Sequence, residues 1–248
     1  MSGGRVSAPR ASYLVEAYAM GIPGAAPVWF KTVDLRERPN NPEARFELAI
    51  QPETVTAVIG DEDSGIGDLG KMILGLSTPP SGEVQVFGTV IASLGYQKQL
   101  LFRRRLGYLM VGDGLLQNLS LRGNISLPLS FASDHRVKEV TARVGEVIDR
   151  LQLGDVADMR PAAVNEEDRR RAALARAIAL DPELLVLESP FDGLTGRAAH
   201  DLLDRVRHRS DGTPRTIFLT AQDLGSHVLP LMNRVVHVAG GLAVEGLE

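Results

Sequence analysis

The residues with the clearest chemical pattern lie in Thr54–Leu76, TVTAVIGDEDSGIGDLGKMILGL, which reads as a strand, a glycine-bearing loop and a helix. A strand ending at Ile59 and followed at once by Gly60 aims backbone N–H groups and a helix N-terminus at one point, the geometry that holds a phosphate. In the register Gly60-Asp61-Glu62-Asp63-Ser64-Gly65-Ile66-Gly67-Asp68, Ile66 stands where a phosphate-binding lysine belongs and Gly67 where a Mg²⁺-binding hydroxyl belongs. A second register, from Gly65 to Lys71, satisfies G-x-x-x-x-G-K but puts Met72 at the hydroxyl position. It opens the loop five residues after the strand and leaves only Met72–Leu76 as helix before Ser77-Thr78-Pro79-Pro80, so it is rejected. Lys71 is then a helix-surface lysine.

Asp61, Glu62, Asp63 and Asp68 place up to four negative charges around this cradle. At ~5 Å and an effective dielectric of ~20, each unscreened like-charge pair costs about 3 kcal/mol, so a triphosphate is opposed. Carboxylates in the first turn of a helix also accept its unpaired N–H groups and complement its dipole. Asp63 and Asp68 are expected to do so for the helix reaching Leu76, and Asn165 with Glu166, Glu167 and Asp168 for the helix running through Arg176. A cation site from the same acids lacks a dedicated loop pattern, and the five scattered histidines have no metal spacing; no metal site is expected.

The elements that must position these residues alternate along the chain. Candidate strands are Val28–Val33, Arg45–Ile50, Thr54–Ile59, Gly82–Val90, Leu184–Leu187, Thr216–Thr220 and Val235–Val238, several of them continuous apolar runs of the kind buried in a parallel sheet. Leu69, Met72, Ile73 and Leu76 repeat at helical spacing, as do Ala199, Leu202, Leu203 and Val206. A longer stripe, Val137, Val140, Val144, Val147, Ile148 and Leu151, is closed by Gly154. Gly240-Gly241 reads as a tight hairpin turn. Residues 1–27 form a Gly/Ala/Pro-rich leader, and there is no internal repeat.

With 248 residues, 44% apolar and 23% charged, the chain suffices for one large domain and fits a soluble intracellular protein. It has no cysteine, which excludes a disulfide framework and thiolate metal sites. A net charge of −4 argues against bulk nucleic-acid attraction. The clusters Arg103-Arg104-Arg105 and Arg169-Arg170-Arg171 lack interleaved aromatics and are read as solvated helix faces, with Arg169–Arg171 able to pair with Glu166 and Glu167. No run approaches ~18 apolar residues and the N-terminus lacks a signal-peptide pattern, so neither export nor a membrane span is expected.

In the Gly60 register, GDEDSGIGDLGKMILGLSTPPSGEVQVFGTVIASL resembles the Walker A region of an ABC transporter ATPase. RRRLGYLMVGDGLLQNLSLRGNISLPL resembles the Q-loop region leading into the helical subdomain. ALARAIALDPELLVLESPFDGLT resembles the signature helix, Walker B and D-loop, and TIFLTAQDL the H-loop. The resemblance implies a P-loop NTPase-like α/β domain over residues 28–246: a mainly parallel sheet, an antiparallel β subdomain, and a helical subdomain at about 112–170. In family terms the Q-loop glutamine falls on Val111, the signature on Val164-Asn165-Glu166-Glu167-Asp168, and the Walker B aspartate on Glu188. The catalytic glutamate falls on Ser189 and the switch histidine on Gln222. No aromatic stands between Phe30 and Phe46 for adenine stacking.

Phosphoryl transfer depends on positioning and charge neutralisation by lysine, Mg²⁺ and a water-orienting group. Ile66, Gly67 and Ser189 supply none of these, so no catalytic residue is assigned, and tight MgATP binding or any other cofactor is not expected. The resemblance implies a pseudo-ATPase with a structural or regulatory role, peripheral on the cytoplasmic face of the cell membrane. It would dock on an integral membrane subunit and pair as a homodimer or with another ATPase-like subunit. The docking candidates are Leu115, Leu116, Leu119 and Leu121 within the apolar segment Gly112–Leu129. The wording LSLRGNISLPL is similar to lipid-trafficking and lipoprotein-type systems. The alternatives are a soluble scaffold without a membrane partner and an unorthodox active ATPase.

Overall fold

Strands built on long apolar runs need cover on both faces, and the computed structural model, which describes residues 26–35, 45–132, 137–239 and 242–245, shows how the chain supplies it. The strands are β1 (Val28–Val33), β2 (Phe46–Ile50), β3 (Val55–Ile59), β4 (Glu83–Val86), β5 (Leu106–Leu109), β6 (Leu184–Glu188), β7 (Thr216–Ala221), β8 (Arg234–Ala239) and β9 (Leu242–Glu245). Six of them form one sheet in the order β5-β6-β7-β3-β8-β9. It is parallel from β5 through β8, with β9 antiparallel at one edge. The other three form an antiparallel sheet, β2-β1-β4.

The period of two along each strand sorts side chains to the two faces. Val55, Ala57 and Ile59 join Leu185, Leu187, Ile217 and Leu219 in the core beneath the helices. Val58 joins Leu184, Val186 and Phe218 in a second core beneath the antiparallel sheet. Phe30 of β1 ties that layer together, its ring centroid 5.3 Å from Phe46 and 5.9 Å from Phe218. The helices are α1 (Leu69–Ile73), α2 (Tyr96–Arg103), α3 (Leu121–Phe131), α4 (Val137–Arg150), α5 (Glu166–Ile178) and α6 (Gly196–Val206). α3 to α6 cover the first core, where the small side chains Ala172, Ala173, Ala175 and Ala177 of α5 let the helix lie close to the sheet.

At the end of the sheet opposite the phosphate loop, Arg215 is fully buried. Its guanidinium donates to the carbonyls of Pro182, Val206 and His208 and to Asp181. Desolvation pulls its pKa down to about 10, with the Asp181 carboxylate opposing that shift.

Several expectations need correction. The strand expected over Gly82–Val90 stops at Val86, because Phe87 and Gly88 turn the chain with φ of 47° and 71°. β5 was not anticipated; it is four residues long and contains Gly107, where a Cβ would meet the Ala177 carbonyl oxygen of α5 at 2.5 Å. Leu76 lies beyond α1 and is 60% exposed, so the apolar stripe ends at Ile73. Val137 is exposed at the start of α4, and the helix is closed by Gln152 at φ 56° rather than by Gly154. β8 and β9 pair as a hairpin; its turn residues Gly240 and Gly241, and residues 1–25 of the leader, lie outside the described residues.

The arginine clusters are not free faces. Arg103 donates to the carbonyls of Leu74 and Gly75, and Arg105 pairs with Glu183 while lying 4.0 Å from the Phe87 ring. Arg170 is buried, Arg169 donates to the Val164 carbonyl, and Arg171 pairs with Glu167 at the anticipated i, i+4 spacing.

Candidate functional site

β3 ends at Ile59 between its two parallel neighbours, and Gly60 follows with its N–H bonded to the Ala221 carbonyl at the end of β7. The loop then folds back on itself in two 3₁₀ turns, Glu62–Ser64 and Ile66–Asp68. Between them Gly65 takes φ 83°, pressed against Leu35 so that a Cβ would meet its carbonyl oxygen at 2.2 Å. Three of the loop's N–H groups are used internally. Ser64 N–H donates to the Asp61 carbonyl, Ile66 N–H to Ser64 Oγ, and Asp68 N–H to the Gly65 carbonyl. Ile66 turns inward and is only 6% exposed, packed in the core shared by Leu69, Ile73 and the antiparallel sheet. Gly67 is exposed and meets nothing.

The expected capping by Asp63 and Asp68 is not made. Asp68 precedes α1 in a helical conformation with no side-chain cap, because the preceding 3₁₀ turn runs directly into the helix. Its carboxylate instead pairs with Lys71 at 2.8 Å, both side chains being about half exposed. That hydrogen bond raises the Lys71 pKa. Asp63 is exposed, within the first 3₁₀ turn. With five residues, α1 has too few aligned peptide units to project a strong dipole toward a ligand.

The opposite wall is set by Glu188, the last residue of β6, which is 5% exposed. Its Oε1 accepts from the Tyr108 hydroxyl at 2.7 Å and its Oε2 from Val111 N–H at 3.3 Å. The carboxylate lies against α1, where a Cβ on Gly70 would meet it at 2.6 Å. Burial, reinforced by the Glu188 carboxylate, pushes the Tyr108 phenol well above its ordinary pKa. Ser189 follows at φ 44°, its N–H bonded to the Thr220 carbonyl. Gln222, just past β7, donates to Glu62 at 3.3 Å and so bridges β7 to the first 3₁₀ turn.

These positions enclose a cavity of about 210 Å³ lined by Gly60, Ile66, Gly67, Val111, Glu188, Ser189 and Gln222, together with Asp61, Glu62, Thr220 and Ala221. Its lining carries three carboxylates and no cationic side chain. Seven of the anticipated positions therefore converge. Asn165, Glu166 and Glu167 sit apart, at the start of α5. There Asn165 accepts from Asp168 N–H at 2.8 Å as the anticipated cap, Glu166 abuts Gly193, and Glu167 pairs with Arg171. Of the docking candidates, Leu115 and Leu121 are core residues, buried in the cluster under the helical layer, Leu121 at the start of α3 and Leu115 in the segment before it. Leu116 is 47% exposed and Leu119 half-buried.

Tyr108 was missed. The alternation that puts Leu184, Val186 and Glu188 on one face of β6 puts Leu106 and Tyr108 on the same face of β5, with Tyr108 in register with Val186. Among the described residues, no group of three or more His, Cys, Asp or Glu side chains is placed to hold a metal ion. None of their helices is long and apolar enough to cross a membrane.

A loop closing the central strand of a parallel sheet, flanked by the ends of the neighbouring strands and set between a helical layer and an antiparallel sheet, defines the P-loop nucleotide-binding class of fold. The profile of the ABC transporter family matches residues 44–192, well over half of the chain, and the chain belongs to that family. It is 29% identical over 79% of its length to the uncharacterized ABC transporter ATP-binding protein YvcR of Bacillus subtilis, covering 75% of that protein. It is 31% identical to the methionine import ATP-binding protein MetN 1 of Rhodococcus jostii and 32% identical to the sulfate/thiosulfate import ATP-binding protein CysA of Gloeobacter violaceus. Those matches cover 72% and 71% of this chain, and the chain spans about half the length of each, 53% and 50%. The fold is shared with the ATP-binding cassette MJ0796, seen as a dimer with ADP and phosphate, at a TM-score of 0.75 and 22% identity over 87% of this chain and 96% of that one. It is shared also with CbiO1 of Clostridium perfringens, at 0.74 and 17% identity over 88% and 87%.

Two outcomes follow from the geometry. Placing a lysine where the resemblance implies one, by Ile66→Lys, should not create a nucleotide site but should lower the unfolding free energy by about 2–5 kcal/mol, since an ammonium would enter an apolar core. Denaturant unfolding measures this, and an equally stable variant that gains MgATP affinity would contradict it. The raised Tyr108 pKa favours the folded state below an ordinary tyrosine's pKa of about 10, and that advantage is lost as pH rises above it. The melting temperature of the wild type should therefore fall toward that of Tyr108→Phe as pH rises above about 10; a constant difference would refute the assignment.

Proposed function

We propose that this chain is a non-hydrolysing ABC ATPase-like subunit that serves a structural or regulatory role in a membrane transporter complex. The observation that carries the reading is the inward burial of Ile66 at the position where the resemblance implies a lysine, with the N–H groups of Ser64, Ile66 and Asp68 paired within the loop. The remaining chemistry agrees with it. The Glu188 carboxylate is held by Tyr108 and Val111, and Ser189 brings no carboxylate to orient water. Gln222 binds Glu62 in place of a phosphate. A triphosphate entering the cavity would meet three carboxylates and no cation.

Likeness to import ATP-binding proteins and to a dimeric cassette supports a location at the cytoplasmic face of the membrane. There the chain would dock on an integral membrane subunit and pair with a second cassette. In the facing arrangement of the family, a partner's phosphate loop would meet Glu166, Glu167 and Asp168. A second copy of this chain would oppose acids with acids, so we favour a different ATPase-like subunit as its partner. The exposed side chains Met110, Val111 and Leu116 offer the membrane subunit an apolar contact. Cargo is set by that subunit; the lipid-trafficking flavour of residues 119–129 makes a lipid one proposal for it.

Heating the protein with and without millimolar MgATP tests the reading. A ligand at 100 times its Kd stabilises by about 2.7 kcal/mol, which a melting curve resolves easily. The expected result is an unchanged melting temperature, with no phosphate release and co-purification with an integral membrane protein from detergent. A clear nucleotide-dependent rise would instead favour the active ATPase.

A further inference from the structure

The segment from Met110 to Leu116 carries the chain from the sheet to the helical layer, and its two ends are fastened differently. Its far end belongs to the helices. Arg176 of α5 donates to the carbonyls of Gly114 and Asp113 at 2.6 and 3.0 Å, and Asn124 of α3 both accepts from Leu116 N–H and donates to its carbonyl. Arg169 of α5 adds an ion pair to Asp113 at 3.6 Å. Gly112, Asp113 and Gly114 all have positive φ, so the segment holds an unusual path between these anchors. Its near end meets the sheet at Val111, whose N–H is held by the Glu188 carboxylate.

That carboxylate also lies against α1 and accepts from Tyr108 of β5. One buried carboxylate thus joins the helix after the phosphate loop, an edge strand of the sheet and Val111 at the near end of the connecting segment. We infer that Glu188 is a built-in ligand. The chain's own carboxylate, not an anion entering the cavity, fixes the 110–116 segment against the sheet. The exposed side chains of Met110, Val111 and Leu116 are then displayed in one arrangement whether or not nucleotide is present. Glu188 is by this argument a positioning residue for that surface. The inference rests on the reading that nucleotide does not operate the site.

Hydrogen exchange on the full chain, resolved at residues 110–116, tests it. In the wild type these amides should exchange slowly and be unaffected by millimolar MgATP. Glu188→Ala should speed Val111 and its neighbours about ten- to a hundredfold, the effect of losing a hydrogen bond to a charged acceptor, while β7 amides stay protected. Glu188→Gln and Tyr108→Phe should give intermediate rates. Acetate added to Glu188→Ala should slow the segment again where the same concentration of chloride does not, because the vacated space accepts a carboxylate. Wild-type exchange rates in Glu188→Ala, or an equal response to acetate and chloride, overturn the inference. Should Glu188→Ala not fold, wild-type rates in Glu188→Gln and Tyr108→Phe overturn it in its place. A melting-temperature rise with MgATP sinks the non-nucleotide reading and with it the nucleotide-independence claimed here, whereas unchanged exchange in the Glu188 variants sinks this inference alone.

Discussion

The side chain at position 66 can lie either over the mouth of the loop or beneath it, and a hydrocarbon belongs beneath. Full burial of an isoleucine is worth about 1.5–3 kcal/mol. Ile66 takes that burial among Leu69, Ile73 and the side chains of the antiparallel sheet. With residue 66 turned down, Gly65 must pass Leu35 at a distance that leaves no room for a Cβ. The chain on either side tightens into 3₁₀ turns, whose own carbonyl and hydroxyl groups accept from the N–H groups of Ser64, Ile66 and Asp68. The short α1 follows from the same packing, since the helix begins only after the second turn has ended.

The other side of the cavity answers to electrostatics. An isolated buried carboxylate is costly, and Glu188 avoids that cost through the Tyr108 hydroxyl and the Val111 N–H. The extra methylene of a glutamate, at a position where the family resemblance implies an aspartate, lengthens its reach toward both donors. Glu62 is bridged by Gln222 in a weaker, more exposed version of the same arrangement. Both carboxylates thereby find donors within the protein.

Much of the architecture was legible because its signals are local. The largely apolar runs at Thr54–Ile59, Leu184–Leu187 and Thr216–Thr220 are the central strands of the parallel sheet, and Ala199, Leu202, Leu203 and Val206 are the buried stripe of α6. Asn165 was readable as a cap because Asx residues before an acidic first turn satisfy the helix N–H groups. Asp63 and Asp68 carry the same local signal and cap nothing, since the burial of Ile66 decides the backbone there, and spacing does not reveal which way a side chain turns. Leu115 and Leu121 were indistinguishable from exposed leucines until α3 showed which face it packs. Tyr108 required recognition of a four-residue strand containing a glycine, too short to show its period against the neighbouring arginines.

The central claim is that this cavity is satisfied by the chain and not by nucleotide, and the most direct measurement is isothermal titration of the protein with MgATP. The account predicts only heats of dilution up to millimolar nucleotide. A saturable isotherm with one nucleotide per chain and a micromolar Kd would contradict it.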